Sequence, residues 1–136
     1  MELRTFSDLI AAASTQAEPQ RLLLVFVAAG LPDRATDAQR AAYQRGEGGE
    51  LTPVLCVDKA PDEIASFGAL CEESQHAGID WNFMFVGALS GKGGHAPNSD
   101  EAARPLRLMV DAIRGGRLAG LLAVDREGDL ISLRAA

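Results

Sequence analysis

Residues 21–29 read RLLLVFVAA and form one of the two longest apolar runs in the chain. A strand with one exposed face alternates apolar and polar side chains, but no alternation follows Arg21. A strand that is covered on both faces, as in a parallel sheet, is typically apolar throughout. Gly30, Pro32 and Asp33 then end the run. We therefore predict a fully buried strand with parallel neighbours.

Four more strands are predicted along the chain. Residues 51–57 (LTPVLCV) and 81–89 (WNFMFVGAL) are apolar, and Pro53 favours a late strand start or an edge position for the first of them. Trp81 is expected to anchor the core rather than to contact a ligand. Residues 118–124 and 130–133 flank the turn DREG and predict a C-terminal β-hairpin.

Helix patterns occur before, between and after the first three strands. Thr5 and Thr36 are predicted N-caps, and Pro61 suits the first turn of a third helix that continues to about Gln75. The last helix reaches about Arg114, and Pro105 predicts either a kink in it or a break near residue 104.

The resulting order is α-β-α-β-α-β-α-β-β, in one α/β domain covering residues 1–136. Short connections through helices usually join parallel neighbours. We expect a five-stranded mixed, mostly parallel sheet with helices on both faces and the C-terminal hairpin. Ligands of open α/β sheets bind beyond the carboxyl ends of the strands. The segments 30–33, 58–61 and 90–99 should therefore converge, whereas the loop RGEGGE at residues 45–50 should lie at the opposite edge.

The composition excludes several classes of protein. The chain has 136 residues, 47% of them hydrophobic and 24% charged, which is ordinary for a soluble domain. A net charge of −6 argues against nucleic acid or an anionic membrane as a partner. Two cysteines and two histidines supply neither a disulfide scaffold nor a zinc motif. The N-terminus lacks signal-peptide character, so a cytoplasmic location is expected. No cofactor or metal is expected.

The loop SGKGGH, residues 90–95, is the best candidate for a binding site. Glycine turns and helix starts present N–H groups to anions, and Lys92 adds a positive charge. The spacing is neither a Walker A motif nor GxGxxG, so the glycines could also serve turn geometry alone. The candidate ligand-binding residues are Asp58, Lys59, Ser90, Gly91, Lys92, Gly93, Gly94, His95 and Asn98.

A small enzyme is the alternative. Cys56 lies at the end of the apolar strand 51–57, next to Asp58 and Lys59, and a nearby cation such as Lys59 or His95 could activate its thiol. His95 could act as a general acid or base, with Lys92 holding an anionic substrate. Neither residue belongs to a recognisable catalytic pattern, and a strand cysteine flanked by Leu55 and Val57 is more often an inert core residue.

Four segments carry a family resemblance: EPQRLLLVFVAAGLPD, GEGGELTPVLCVDKAPDEIASF, FVGALSGKGG and LLAVDREGDLISL. They resemble a family of small proteobacterial proteins that often bear the label "ribonucleotide reductase subunit alpha". The resemblance implies a bacterial, cytoplasmic, stand-alone domain. It implies no reductase activity, because the reductase large subunit resembles a much longer barrel enzyme with more essential cysteines than Cys56 and Cys71 provide.

The function expected from the sequence is a non-catalytic binding or regulatory module. Its ligand would be a small anion or a protein partner, and a role as a subunit of a larger assembly is a further alternative. The predicted apolar strand at residues 118–124 could form a sheet edge, and a second copy covering that edge would make a homodimer.

Overall fold

A computed structural model describes residues 3–31, 34–45 and 50–131. The helices are α1 (Phe6–Ser14), α2 (Asp37–Gln44), α3 (Phe67–His76) and α4 (Ser99–Arg114), with a short 3-10 helix at Pro61–Glu63. The strands are β1 (Gln20–Gly30), β2 (Glu50–Lys59), β3 (Phe83–Ser90), β4 (Leu122–Val124) and β5 (Leu130–Ile131). No described helix combines the length and apolarity that a membrane crossing requires.

The five strands form one sheet in the order β2-β1-β3-β4-β5, and every neighbouring pair is antiparallel. The prediction of a mostly parallel sheet is therefore wrong, although the combination of helices with five strands is correct. β2 and β3 run in the same direction, but β1 lies between them. A helix in the connection does not fix the direction of the next strand. β1 and β2 are joined through α2, yet they are adjacent and antiparallel, and β2 and β3 are joined through α3 but are separated by β1.

β1 is apolar throughout because helices cover both faces of the sheet. Leu22, Leu24 and Phe26 pack into one core cluster, and the alternate residues Leu23 and Val25 pack into the other. α1 and α3 cover the first side, here called the α3 face. α4 covers the second side, the α4 face. Two-sided burial was thus correctly predicted, but it does not require parallel neighbours.

The antiparallel arrangement changes which strand ends meet. Gln20 at the start of β1 pairs with Ser90 at the end of β3, and Leu22 pairs with Lys59 at the end of β2. The ends of β2 and β3 therefore lie together, as predicted. Gly30, at the end of β1, lies at the opposite end of the sheet, where it pairs with Glu50. Asp33, and residues 46–49 of the RGEGGE loop, lie outside the described residues.

Local helix signals agree with the structure more closely than the sheet prediction does. Thr5 and Thr36 each cap a helix with a reciprocal capping box. Pro61 begins only a 3-10 helix, and α3 starts separately with Ser66 as its N-cap. α4 continues through Pro105 without the predicted break. Pro105 removes only one backbone donor from the helix. Ala102 before it and Leu106 after it both pack into the core of the α4 face, and this packing supports the helix across the proline.

The C-terminal hairpin lies differently from the prediction. β4 covers only Leu122–Val124 and pairs with both β3 and β5, so residues 118–124 are not an edge strand. β2 and β5 form the two edges. Along β5, the Leu130 N–H donates to the Arg4 carbonyl oxygen at 2.8 Å, and Thr5 forms a bridge with Asp129. Residues 132 and 133 of the predicted last strand lie outside the described residues.

Candidate functional site

The glycine-rich loop is a tight two-residue turn. The Lys92 N–H donates to the His95 carbonyl oxygen at 3.1 Å, and the His95 N–H donates back to the Lys92 carbonyl oxygen at 3.0 Å. Gly93 and Gly94 have φ values of 59° and 81°. Positive φ at both central positions characterises a type I′ turn, which favours glycine. The two glycines therefore set the positions of Lys92 and His95.

The segment before β1 holds this turn in place. The buried Gly91 donates its N–H to the Pro19 carbonyl oxygen at 2.8 Å. The Gly94 N–H donates to Oε2 of Glu18 at 2.7 Å. Because internal acceptors occupy these N–H groups, an anion at the loop depends mainly on the side chains.

A cavity of about 270 Å³ lies between the end of β3 and the start of α4. Its lining consists of Leu89, Ser90, Gly91, Lys92, His95, Ala96, Pro97 and Glu101. The exposed Lys92 side chain forms no ion pair with any residue that the structure describes. The cavity thus brings together Ser90, Gly91, Lys92 and His95 from the predicted set, with Lys92 available to a ligand.

Three predicted loop residues have other positions. Gly93, Gly94 and Asn98 are not part of the cavity lining. Asn98 is the N-cap of α4: its Oδ1 accepts from the Glu101 N–H at 2.8 Å, and a Glu101 carboxylate oxygen accepts from the Asn98 N–H at 3.2 Å. Glu101 was not predicted as a site residue, although the spacing N-x-x-E is a visible capping-box signal.

Asp58 belongs to a polar network on the α4 face. Its Oδ2 accepts hydrogen bonds from Nε of Arg21 and from the Ser99 hydroxyl, the latter at 2.8 Å. Arg21 also donates to the Ser99 oxygen at 2.9 Å and lies 3.7 Å from a Glu63 carboxylate oxygen. Partial burial acts to raise the pKa of Asp58, but Ser99 and Arg21 outweigh it and lower that pKa below its usual value. The network joins β1, β2 and α4.

Replacing Asp58 with asparagine should lower the free energy of unfolding at pH 7 by about 1–3 kcal/mol, because charge-assisted hydrogen bonds are lost. The folded-state pKa of Asp58 is lowered, so this stabilisation exists above the unfolded-state pKa and is lost as the pH falls through the folded-state value. Urea unfolding at several pH values should therefore show the difference between the two proteins narrowing below about pH 4. Asp80→Asn is the control at an exposed position. If the wild type and Asp58→Asn differ in free energy of unfolding by the same amount at pH 7 and at pH 3, the role assigned to Asp58 is contradicted.

Lys59 points to the other side of the sheet from Asp58. It pairs with Leu22, a residue of the α3-face core, and its Nζ lies 3.2 Å from a Glu73 carboxylate oxygen on α3. Side chains alternate along a strand, so neighbouring residues such as Asp58 and Lys59 lie on opposite faces. Neither residue lines the cavity. The structure therefore places this predicted pair apart from Lys92 and His95.

The two cysteines have different environments. Cys56 is exposed on the edge strand β2, so it is not the buried core residue that the sequence allowed as one interpretation. It does not line the cavity with His95. Cys71 is partly buried, and burial raises the pKa of its thiol more than the charge of Arg126 lowers it. Within the described part of the chain, no group of three His, Cys, Asp or Glu side chains is arranged to hold a metal ion.

In the described residues, helices cover both faces of one antiparallel sheet, and the candidate ligand site lies between the end of β3 and the start of α4. Comparison with protein-family models, curated proteins and solved structures finds no match to the chain.

Proposed function

We propose that the protein is a non-catalytic binding module and that its cavity holds the anionic group of a small molecule. Lys92 carries this proposal, because the residue lines the cavity and its side chain has no ion-pair partner among the described residues. A lysine that already formed an internal ion pair would have to break it before binding a ligand, and Lys92 has no such cost. His95 supplies a second nitrogen-bearing side chain in the same lining.

The alternatives have less geometric support. In the enzyme alternative, Cys56 or His95 would react with an anion that Lys92 holds. Cys56 does not line the cavity with Lys92, so only the version with His95 is compatible with this site. A homodimer through added strand pairing would have to use an edge, and along β2 Pro53 lacks a backbone donor. The register of β2 against β1 also shifts between Phe26 and Val27. Irregular edge strands of this kind disfavour pairing with another chain.

A thermal-shift experiment with phosphate, acetate and a nucleotide tests the proposal. A ligand at one hundred times its dissociation constant should stabilise the protein by roughly 2.7 kcal/mol. Lys92→Ala should weaken the binding of any effective anion by about tenfold, the scale of one charge-assisted contact. It should leave the melting temperature without ligand nearly unchanged, because the side chain is exposed and forms no ion pair with the described residues.

Arg107→Ala is the matched control for that experiment. Arg107 is also exposed, lies on α4 and does not line the cavity. Its removal changes the net charge by the same amount and should preserve the response to the anion. The proposal fails if no anion shifts the unfolding transition, or if the two variants weaken binding equally.

A further inference from the structure

The residues that line the cavity include charged residues of both signs. Lys92 lies in the turn after β3, and Glu101 lies in the first turn of α4. They form no ion pair with each other, although both line the cavity. Glu101 accepts one hydrogen bond, from the Asn98 N–H, and a carboxylate has further acceptor sites on its two oxygens. Both an anionic and a cationic ligand group therefore have a counterpart here.

The remaining lining favours a small ligand with an apolar part. Leu89, Ala96 and Pro97 provide apolar surface beside the charged groups. Pockets for drug-sized ligands usually have volumes of about 300–1,000 Å³. At about 270 Å³ the cavity is smaller than that range. It suits a compact molecule with a short apolar group better than a nucleotide.

We propose that the ligand is a small zwitterion of the α-amino acid class. Its carboxylate would contact Lys92 and His95, its ammonium group would contact Glu101, and its short side group would pack on the apolar lining. This inference rests on the proposed function and adds the cationic half of the ligand. Phosphate or a simple carboxylate would contact only Lys92 and His95 and would leave Glu101 as a repelling neighbour.

Calorimetric titration of the full chain with L-alanine and with propionate tests the inference, because these two ligands share a carbon skeleton and differ by the ammonium group. We expect L-alanine to bind about tenfold more tightly than propionate, the scale of one charge-assisted contact. Ethylammonium, which lacks the carboxylate, should bind more weakly than L-alanine. Lys92→Ala should weaken the binding of both carboxylates.

Glu101→Gln should bring the affinities for L-alanine and propionate within about twofold of each other, because the countercharge for the ammonium group is lost. Glutamine at this position still fits a capping box, so α4 should keep its N-terminus. Glu72→Gln, the same change at an exposed position on α3, should leave the preference for L-alanine intact.

The possible failures are distinguishable. If propionate or phosphate binds in a Lys92-dependent manner but L-alanine binds no more tightly than propionate, the zwitterion inference is wrong and the binding module stands. A preference for L-alanine that persists in Glu101→Gln also overturns the inference. If none of the probes binds, the proposed function and the inference fail together.

Discussion

Replacing Trp81 with alanine should lower the free energy of unfolding by about 3–5 kcal/mol, the usual cost of removing a large buried aromatic side chain. Trp81 is 4% exposed, and its ring centroid lies 5.0 Å from that of Phe26 and 6.3 Å from that of Phe67. It thus joins the inner strand β1 to α3. Urea unfolding monitored by circular dichroism measures the loss.

The polar edge of the same ring gives a graded control. Nε1 of Trp81 donates to the Ser74 hydroxyl at 2.9 Å, and the Arg126 guanidinium lies 4.3 Å from the ring centroid. Trp81→Phe keeps an aromatic ring but loses the donor, so it should cost less than the alanine variant, about 1–3 kcal/mol. Equal losses for the two variants would show that packing of the ring contributes little.

Gly91→Ala should destabilise the protein by about 3 kcal/mol, at the upper end of the usual cost of overpacking. A Cβ atom at Gly91 would lie 2.9 Å from the Pro19 carbonyl oxygen and even closer to that of His95. Both neighbours are backbone atoms that are held by hydrogen bonds, so neither can rotate away as a side chain would. Chemical denaturation gives the change in free energy.

Gly68→Ala is the matched control for that variant. Gly68 lies in α3, and a Cβ atom added there would have the Ser66 Oγ as its nearest neighbour at 3.7 Å, an ordinary contact. Alanine is favoured over glycine in helices by roughly 0.5–1 kcal/mol, so this variant should be neutral or stabilised. If Gly91→Ala is as well tolerated as Gly68→Ala, the close approach of the turn to the segment before β1 is not a constraint on the fold.

Local interactions explain which structural features the sequence could predict. Thr5 and Thr36 cap helices through contacts three residues away, so their patterns are readable directly. The buried position of Trp81 was also correctly predicted. The direction of each strand depends instead on pairing between distant segments. β1 meets β3 through the pair Gln20 and Ser90, and nothing in either local pattern specifies this contact.

In the candidate site, too, local features could be predicted from the sequence and contacts between distant segments could not. The turn at Gly93 and Gly94 was visible as a glycine pair, and the cavity does gather Lys92 with His95. Glu18 and Arg21 were not predicted, because each acts on residues more than seventy positions away, Gly94 and Ser99 respectively. Lys59 was grouped with the site by its place in the chain, whereas strand alternation puts its side chain beside Glu73.

The contact of Arg4 and Thr5 with β5 has a consequence for the folding pathway. It joins segments from near the two ends of the described chain. Direct closure of so long a loop from the unfolded chain is entropically costly, and folds rich in such distant pairs fold slowly. The pairs of β1 with β2 and β3 should form first and shorten the effective loop. The N-terminal segment would then dock late, which makes β5 the part of the sheet that opens most readily in the native state.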